Sequence, residues 1–185
     1  PTEHGIPSCG WQITTNPAMG KFDRAKADSL SLTTEQVATL AGGEDITTDS
    51  ETLMAKDFRG EVKPRRSLLI SGDTIGGVQA FGELTTSPDL LLHEATFLEY
   101  KSEKAKMYNH STTHDAARHA KISGCQVLAL THYSSSVDDI SVVQNEAQEL
   151  HKRSIACSDG DVFTISRNGE ITVHRRCEEW KNYSL

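Results

Sequence analysis

Leu68-Leu69-Ile70-Ser71-Gly72-Asp73-Thr74 is a short apolar run that stops on an acid. Its first three residues have the composition of a strand buried on both faces. A carboxylate just beyond such a strand is held at the rim of a sheet, where ligands and metals bind. Two later stretches repeat the layout: Leu90-Leu91-Leu92 runs into His93-Glu94, and Val127-Leu128-Ala129-Leu130 runs into Thr131-His132. One such ending carries little weight, because core strands often stop at a polar residue. Three in one small chain point to a common rim with a metal site.

The chain has 185 residues, enough for one domain with a real core. Hydrophobic content of 36% and charged content of 24% are ordinary for a water-soluble domain. The formal charge of −7 excludes a surface that attracts nucleic acid everywhere. The densest short basic cluster is Lys63, Arg65 and Arg66. Four cysteines (Cys9, Cys125, Cys157 and Cys177) lie far apart without a CxxC pair, so zinc-finger spacing is absent. Cys125 and Cys157 sit beside apolar runs and read as buried free thiols, which suits a reducing compartment. No stretch approaches the ~20 apolar residues of a membrane span, and no signal peptide is seen. The opening Pro1-Thr2-Glu3-His4 reads as the start of a fragment, or of one chain of a split or processed protein.

Taken in order, Trp11 to Thr14 is expected as a strand. Asp23 to Leu32 has a helix-like face, and Thr33-Thr34-Glu35 caps a second helix that Gly42-Gly43 ends. Phe81 to Leu84 is read as helical, and Tyr108 to Thr113 as a polar loop. Asp115 to Ile122 is a helix capped by Thr113 or Ser111, with Ala116, Ala117 and Ala120 against a sheet and His114 and His119 on the surface. Val137 to Lys152 is a further helix. Two short strands follow, and Asn168-Gly169 signals a hairpin. The tail from Arg175 is charged and expected to be loosely held. This alternation predicts a layered α/β or α+β fold.

His4, Asp73, His93, Glu94, His110 and His132 form the candidate site. Imidazole and carboxylate suit zinc, manganese or iron. A carboxylate such as Asp73 can bridge two metals ~3.5–4 Å apart, the arrangement that activates water against a phosphodiester. Glu94 beside His110 would fix the imidazole tautomer and help it protonate a leaving oxygen. Each side chain taken singly has an ordinary structural explanation; the argument rests on the set.

The set resembles the tRNase Z family, metallo-β-lactamase-fold endonucleases that trim the 3′ end of precursor tRNA. The resemblance is carried by Thr2-Glu3-His4-Gly5-Ile6-Pro7, Gly10-Trp11-Gln12-Ile13, Ser71-Gly72-Asp73-Thr74, His93-Glu94-Ala95-Thr96, His110-Ser111-Thr112 and Leu130-Thr131-His132, in the family's order. It implies an α+β fold, the C-terminal half of an αββα metallo-β-lactamase domain over residues 1–165, followed by a hairpin strand and charged tail over 166–185. It implies metal ligands at His4, Asp73 and His132, with Asp73 bridging, and proton-relay residues at His93, Glu94 and His110. It further implies zinc, two ions per complete site, with manganese as the alternative. The implied partners are precursor tRNA and an N-terminal half carrying HxHxDH on the same or a separate chain. A homodimer is compatible with the family, and no membrane is involved. The implied location is cytoplasmic, or organellar or nuclear in a eukaryote. Residues 16–66 would take the place of the arm that grips the tRNA elbow.

Three departures stand beside the resemblance. HxHxDH, with its water-activating Asp, does not occur in these residues. Ser135 and Val137 stand where the family commonly has an Arg and a Tyr for phosphate. The arm segment lacks a Gly-Pro element and has few basic residues. Two other readings follow: a degenerate, non-catalytic half serving as scaffold or RNA-binding subunit, and a related hydrolase of small phosphodiesters.

Overall fold

The computed structural model describes residues 1–77, 87–176 and 180–184, the last stretch and Arg176 by backbone alone. In chain order its elements are β1 (Trp11–Thr14), α1 (Arg24–Ser29), α2 (Thr34–Gly42), β2 (Ile46–Thr47), β3 (Thr52–Leu53) and β4 (Ser67–Ile70). Then come β5 (Leu90–Glu94), α3 (Ser102–Tyr108), α4 (Thr113–Ser123), β6 (Val127–Thr131) and α5 (Ile140–Leu150). β7 (Ser154–Ala156), β8 (Val162–Ile165), β9 (Ile171–Arg176) and β10 (Trp180–Ser184) complete the chain. The helix expected at Phe81 to Leu84 lies outside the described residues. No helix among the described residues is long and apolar enough to cross a membrane.

Contacts divide the chain into two compact units, Pro1–Thr15 with Arg66–Leu185, and Asn16–Arg65. The first is built on a five-stranded mixed sheet in the order β1-β4-β5-β6-β7. β4 through β7 run parallel and β1 is antiparallel at the edge. Parallel central strands are covered on both faces, which explains their unbroken Leu and Val runs. On one face Leu69, Leu91, Leu128 and Leu130 meet Ala116, Ala117 and Ala120 of α4 and Val143 and Ala147 of α5. The three alanines are wholly buried, and their small side chains let α4 approach the sheet closely. On the other face Leu90, Val127, Ala129 and Ile155 pack with Ile171 and Val173 of a three-stranded antiparallel sheet, β10-β9-β8. The mixed sheet and helices expected from the sequence are present, with a second sheet on the face that the helices leave open.

Asn16–Arg65 has its own core of Ala27, Val37, Leu40, Ala55 and Phe58. α1 stops at Ser29, short of the expected Leu32, because Ser31 takes a left-handed backbone (φ 50°). Thr33 caps α2 as expected, in a capping box with Gln36, and Gly43 ends it at φ 96°.

Three expectations are corrected here. Thr112, not Thr113 or Ser111, caps α4: its hydroxyl accepts from the Asp115 N–H while Asp115 accepts from the Thr112 N–H. Tyr108, expected to open the polar loop, instead ends a helix over Ser102–Tyr108 that Asn109 closes in the left-handed region. The tail is not loose over Trp180–Ser184, which pair in register with β9 and satisfy its edge hydrogen bonds.

Asp89 enters β5 as a buried carboxylate. It accepts from the Arg66 guanidinium at 3.0 Å, the Ser67 N–H at 2.7 Å and Gln126 Nε2 at 2.8 Å. Removing one partner of such a buried pair leaves an uncompensated charge. Asp89→Ala is expected to lower unfolding free energy by about 3–5 kcal/mol. Asp28→Ala, which breaks the exposed Arg24–Asp28 pair, should cost less than about 1 kcal/mol. Urea titration of both variants checks the contrast.

Candidate metal centre and proton relay

Because β4, β5 and β6 are parallel, the residues that follow them emerge at one edge. Asp73 follows β4, Glu94 ends β5 and His132 follows β6. β1 is antiparallel, with Trp11 opposite Ile70, so the chain entering β1 lies at the same edge and brings His4 there. The Thr2 and Ser8 hydroxyls both donate to the Asp73 carbonyl, at 2.9 and 2.8 Å, and fasten the two segments together. Gly72 makes the turn at φ 61°, where an added Cβ would stand 2.5 Å from the Cys9 carbonyl oxygen.

Asp73 lies between two imidazoles. Its Oδ2 is 3.9 Å from His4 Nε2 and its Oδ1 is 3.8 Å from His132 Nδ1. Both gaps are too long for hydrogen bonds. His4 Nδ1 faces the Asn109 carbonyl at 2.7 Å. A carbonyl only accepts, so Nδ1 carries the proton and a neutral His4 turns a bare Nε2 toward the carboxylate. Two electron-rich atoms facing each other across such a gap suit a cation, and an oriented imidazole is the usual form of a histidine metal ligand. Ligand atoms of His4, Asp73 and His110 lie within 4.8 Å of one another, as do those of Glu94, His110 and His132. His132 itself sits at φ 57°, an uncommon conformation for a side-chain-bearing residue and one that clusters at functional sites.

Glu94 is 2% exposed. Its Oε1 accepts from the Thr74 N–H at 3.0 Å and His110 Nδ1 at 2.9 Å. Its Oε2 accepts from the Thr96 N–H at 3.2 Å and the Thr96 hydroxyl at 2.6 Å. With both oxygens engaged, Glu94 is a holder of His110 rather than a free metal ligand. Thr96 spends its one proton on Glu94, so its oxygen accepts from His132 Nδ1 at 2.9 Å. One hydroxyl thus ties the relay to the metal-capable histidine.

The structure therefore brings His4, Asp73, Glu94, His110 and His132 together. It does not bring the His93 ring to them, because adjacent residues of a strand point to opposite faces. His93 Nδ1 donates to the Glu94 carbonyl at 2.5 Å, and its Nε2 meets His119 Nδ1 at 2.7 Å. The His93 ring is thus buried beneath Glu94, held by the Glu94 carbonyl and His119. His119, expected on the surface, is 4% exposed and also contacts the Gly77 carbonyl. His114 is half-buried against Glu99 and Glu149. Sequence reasoning missed Thr96 and Asn109. Asn109 carried a signal, since asparagine tolerates the left-handed backbone that aims its carbonyl at His4.

Burial pushes the His93 pKa down to about 3, with the neighbouring His119 adding to the effect. Burial also lowers His119. Burial raises the Cys125 and Cys157 thiols to about 12, which makes them inert.

A layered α/β chain whose strands deliver histidines and carboxylates to one rim defines a protein with a candidate metal centre. No family model matches the chain. It is 31% identical to "Ribonuclease Z" of Haloferax volcanii, over 93% of this chain and 53% of that protein. To "Ribonuclease Z" of Brevibacillus brevis it is 36% identical, over 74% of this chain and 43% of that one. The solved short form of human tRNase Z matches at 42% identity and TM-score 0.35, over 38% of this chain and 27% of that one. The chain is similar to ribonuclease Z proteins over most of its own length, and it spans about half the length of the curated relatives it matches.

His93 stays neutral when folded down to about pH 3, whereas an unfolded histidine takes up its proton near pH 6.5. Between those values the unfolded state binds the extra proton, so stability is full above pH 6.5 and falls as pH drops toward 3. His93→Gln is expected to remove about one proton from the uptake on unfolding at pH 5. Urea midpoints measured against pH for both proteins check this.

Proposed function

We propose that this chain supplies the C-terminal half of a tRNase Z-type endoribonuclease that cleaves precursor tRNA at its 3′ end. The observation that carries the reading is the convergence of His4, Asp73 and His132 beside a Glu94–His110 pair at one sheet edge, in a chain similar to ribonuclease Z proteins. His4, Asp73 and His132 would hold zinc, two ions in a complete site with Asp73 shared, or manganese in its place. The bound metal supplies Lewis acidity and a nucleophilic water at neutral pH. The chain's own residues do the rest of this half's work. Glu94 holds His110 by Nδ1, which keeps His110 Nε2 available to deliver a proton to the leaving 3′ oxygen. Asn109 keeps His4 in the tautomer that turns a lone pair toward Asp73, and Thr96 holds the His132 ring through Nδ1.

A partner half carrying HxHxDH completes the site in this proposal. The first sheet supports it: Trp11 and Ile13 are 65% and 55% exposed, and they extend the face of Leu68, Ile70 and Leu92 beyond the second sheet's cover. Exposed apolar surface of that kind marks an interface. Asn16–Arg65, a unit with its own core, stands in the sequence at the place of the family's tRNA-gripping arm.

Cleavage of precursor tRNA by this chain mixed with an HxHxDH-bearing half tests the reading. Asp73→Ala is expected to reduce the rate by about a hundredfold or more; equal rates for both proteins reject the proposal. Glu94→Gln should lower kcat by about 10²–10⁴ with KM little changed, because the pair acts on the leaving group rather than on binding.

A further inference from the structure

A cleft of about 520 Å³ opens directly beside the centre, a volume typical of small-ligand sites. His4, Thr96 and His110 form one wall; Phe97, Lys104, Tyr108 and Ser134 line the cleft too, together with Gly5 and Ile6. Phe97 is buried and gives a fixed apolar floor, packed edge-on to His110 with ring centroids 6.3 Å apart. Tyr108 is 54% exposed and stands 6.4 Å from the Phe97 ring at an interplanar angle of 31°. Lys104 Nζ lies over both rings, 5.5 Å from Phe97 and 5.9 Å from Tyr108. Among the described residues Lys104 enters no ion pair, whereas Lys106 is taken up by Glu103 at 2.8 Å. Ser134 extends the polar side through Ser136 at 3.0 Å, which receives Lys101 Nζ at 2.8 Å.

An exposed aromatic face, an unpaired ammonium and a hydroxyl in one cleft match the three parts of a nucleotide. The ring offers a stacking platform, and the ammonium and hydroxyl suit a phosphate. The chain as a whole is acidic and Lys106 is neutralised by Glu103, but Lys104 in the cleft and Lys101 beyond Ser136 bring two ammonium groups to this side. Two cations beside a hydroxyl suit a phosphate. The cleft shares His4, Thr96 and His110 with the reacting centre, so its occupant would adjoin the bond being broken.

We infer that this cleft is a single-nucleotide subsite for RNA, in which Tyr108 stacks the base next to the scissile phosphate and Lys104 with Ser134 holds that nucleotide's own phosphate. The inference rests on the phosphodiester reading of the centre and names how the strand is positioned there. Stacking of this kind tolerates any base, so the subsite sets strand register rather than sequence preference.

The probe is a fluorescent 2′-O-methyl pentauridylate, which cannot be cleaved through its 2′ oxygens and is too short to engage an elbow-binding arm. Its anisotropy is followed with the full 185-residue chain in EDTA. Tyr108→Ala is expected to weaken binding about tenfold and Tyr108→Phe to stay within about twofold. Lys104→Ala should shallow the slope of log K against log salt by about 0.7. Thermal melts confirm that the variants fold, and Tyr108→Phe with the Lys104 salt slope decides the matter if Tyr108→Ala does not. No binding by the wild-type chain, unchanged binding by Tyr108→Ala, or equal competition by a pentaglutamate peptide would overturn the subsite. The two readings fail separately. Loss of pentauridylate binding in Tyr108→Ala with Asp73-independent cleavage leaves an RNA contact and removes the nuclease assignment. Asp73-dependent cleavage with unaltered binding by Tyr108→Ala removes the subsite alone.

Discussion

Parallel pairing of β4, β5 and β6 forces three chain exits onto one edge, and everything at the site depends on that alignment. In parallel strands the side chains just past each C-terminal end share a level. Ile70 is level with Leu92, and Glu94 with Thr131, so Asp73, Glu94 and His132 need no long side chains to meet. The antiparallel β1 then adds the one residue that no parallel strand could bring, since its N-terminal side faces the same rim. The buried Arg66–Asp89 pair works at the opposite end of the same strands. It fixes β4 against β5 away from the rim.

Much of this was legible in the sequence, and the reasons are physical. Apolar runs that end on chemistry-bearing residues are a direct imprint of buried parallel strands, so Asp73, Glu94 and His132 could be found from the order of residues alone. The caps of α2 were equally readable, because Thr33 and Gly43 act within a few residues of themselves, whereas the cap of α4 fell on Thr112, between the two expected residues. What escaped depends on faces and distances. His93 and Glu94 are neighbours in the chain, and a short apolar strand gives no alternation to say which side each one takes. His119 reads as exposed from a helix rich in polar residues, and its burial comes from the sheet and the Gly77 loop, which the helix pattern does not contain. The last strand, Trp180–Ser184, was obscured by charge: its backbone pairing with β9 does not require apolar side chains.

Histidines at the rim illustrate why residue type alone could not assign roles. A neutral imidazole has one N–H and one lone pair, and the partner of one nitrogen decides what the other offers. His4 gives its Nδ1 proton to a carbonyl and presents a lone pair to Asp73. His110 gives its Nδ1 proton to the Glu94 carboxylate, which fixes the tautomer of that ring. His132 gives its proton to Thr96, whose own proton is already committed to Glu94. The same residue type is therefore sorted into ligand-like and relay-like members by a carbonyl, a carboxylate and a hydroxyl.

Saturation of Glu94 sets it apart from Asp73. A buried carboxylate with a vacant oxygen would compete with Asp73 for any cation at the rim. Four donors close off that option: two backbone amides, one hydroxyl and one imidazole. Two of the four come from Thr96, so a single threonine both occupies Glu94 and holds the His132 ring through Nδ1. The carboxylate left open at the centre is Asp73, its side chain 39% exposed and flanked on each side by an imidazole nitrogen.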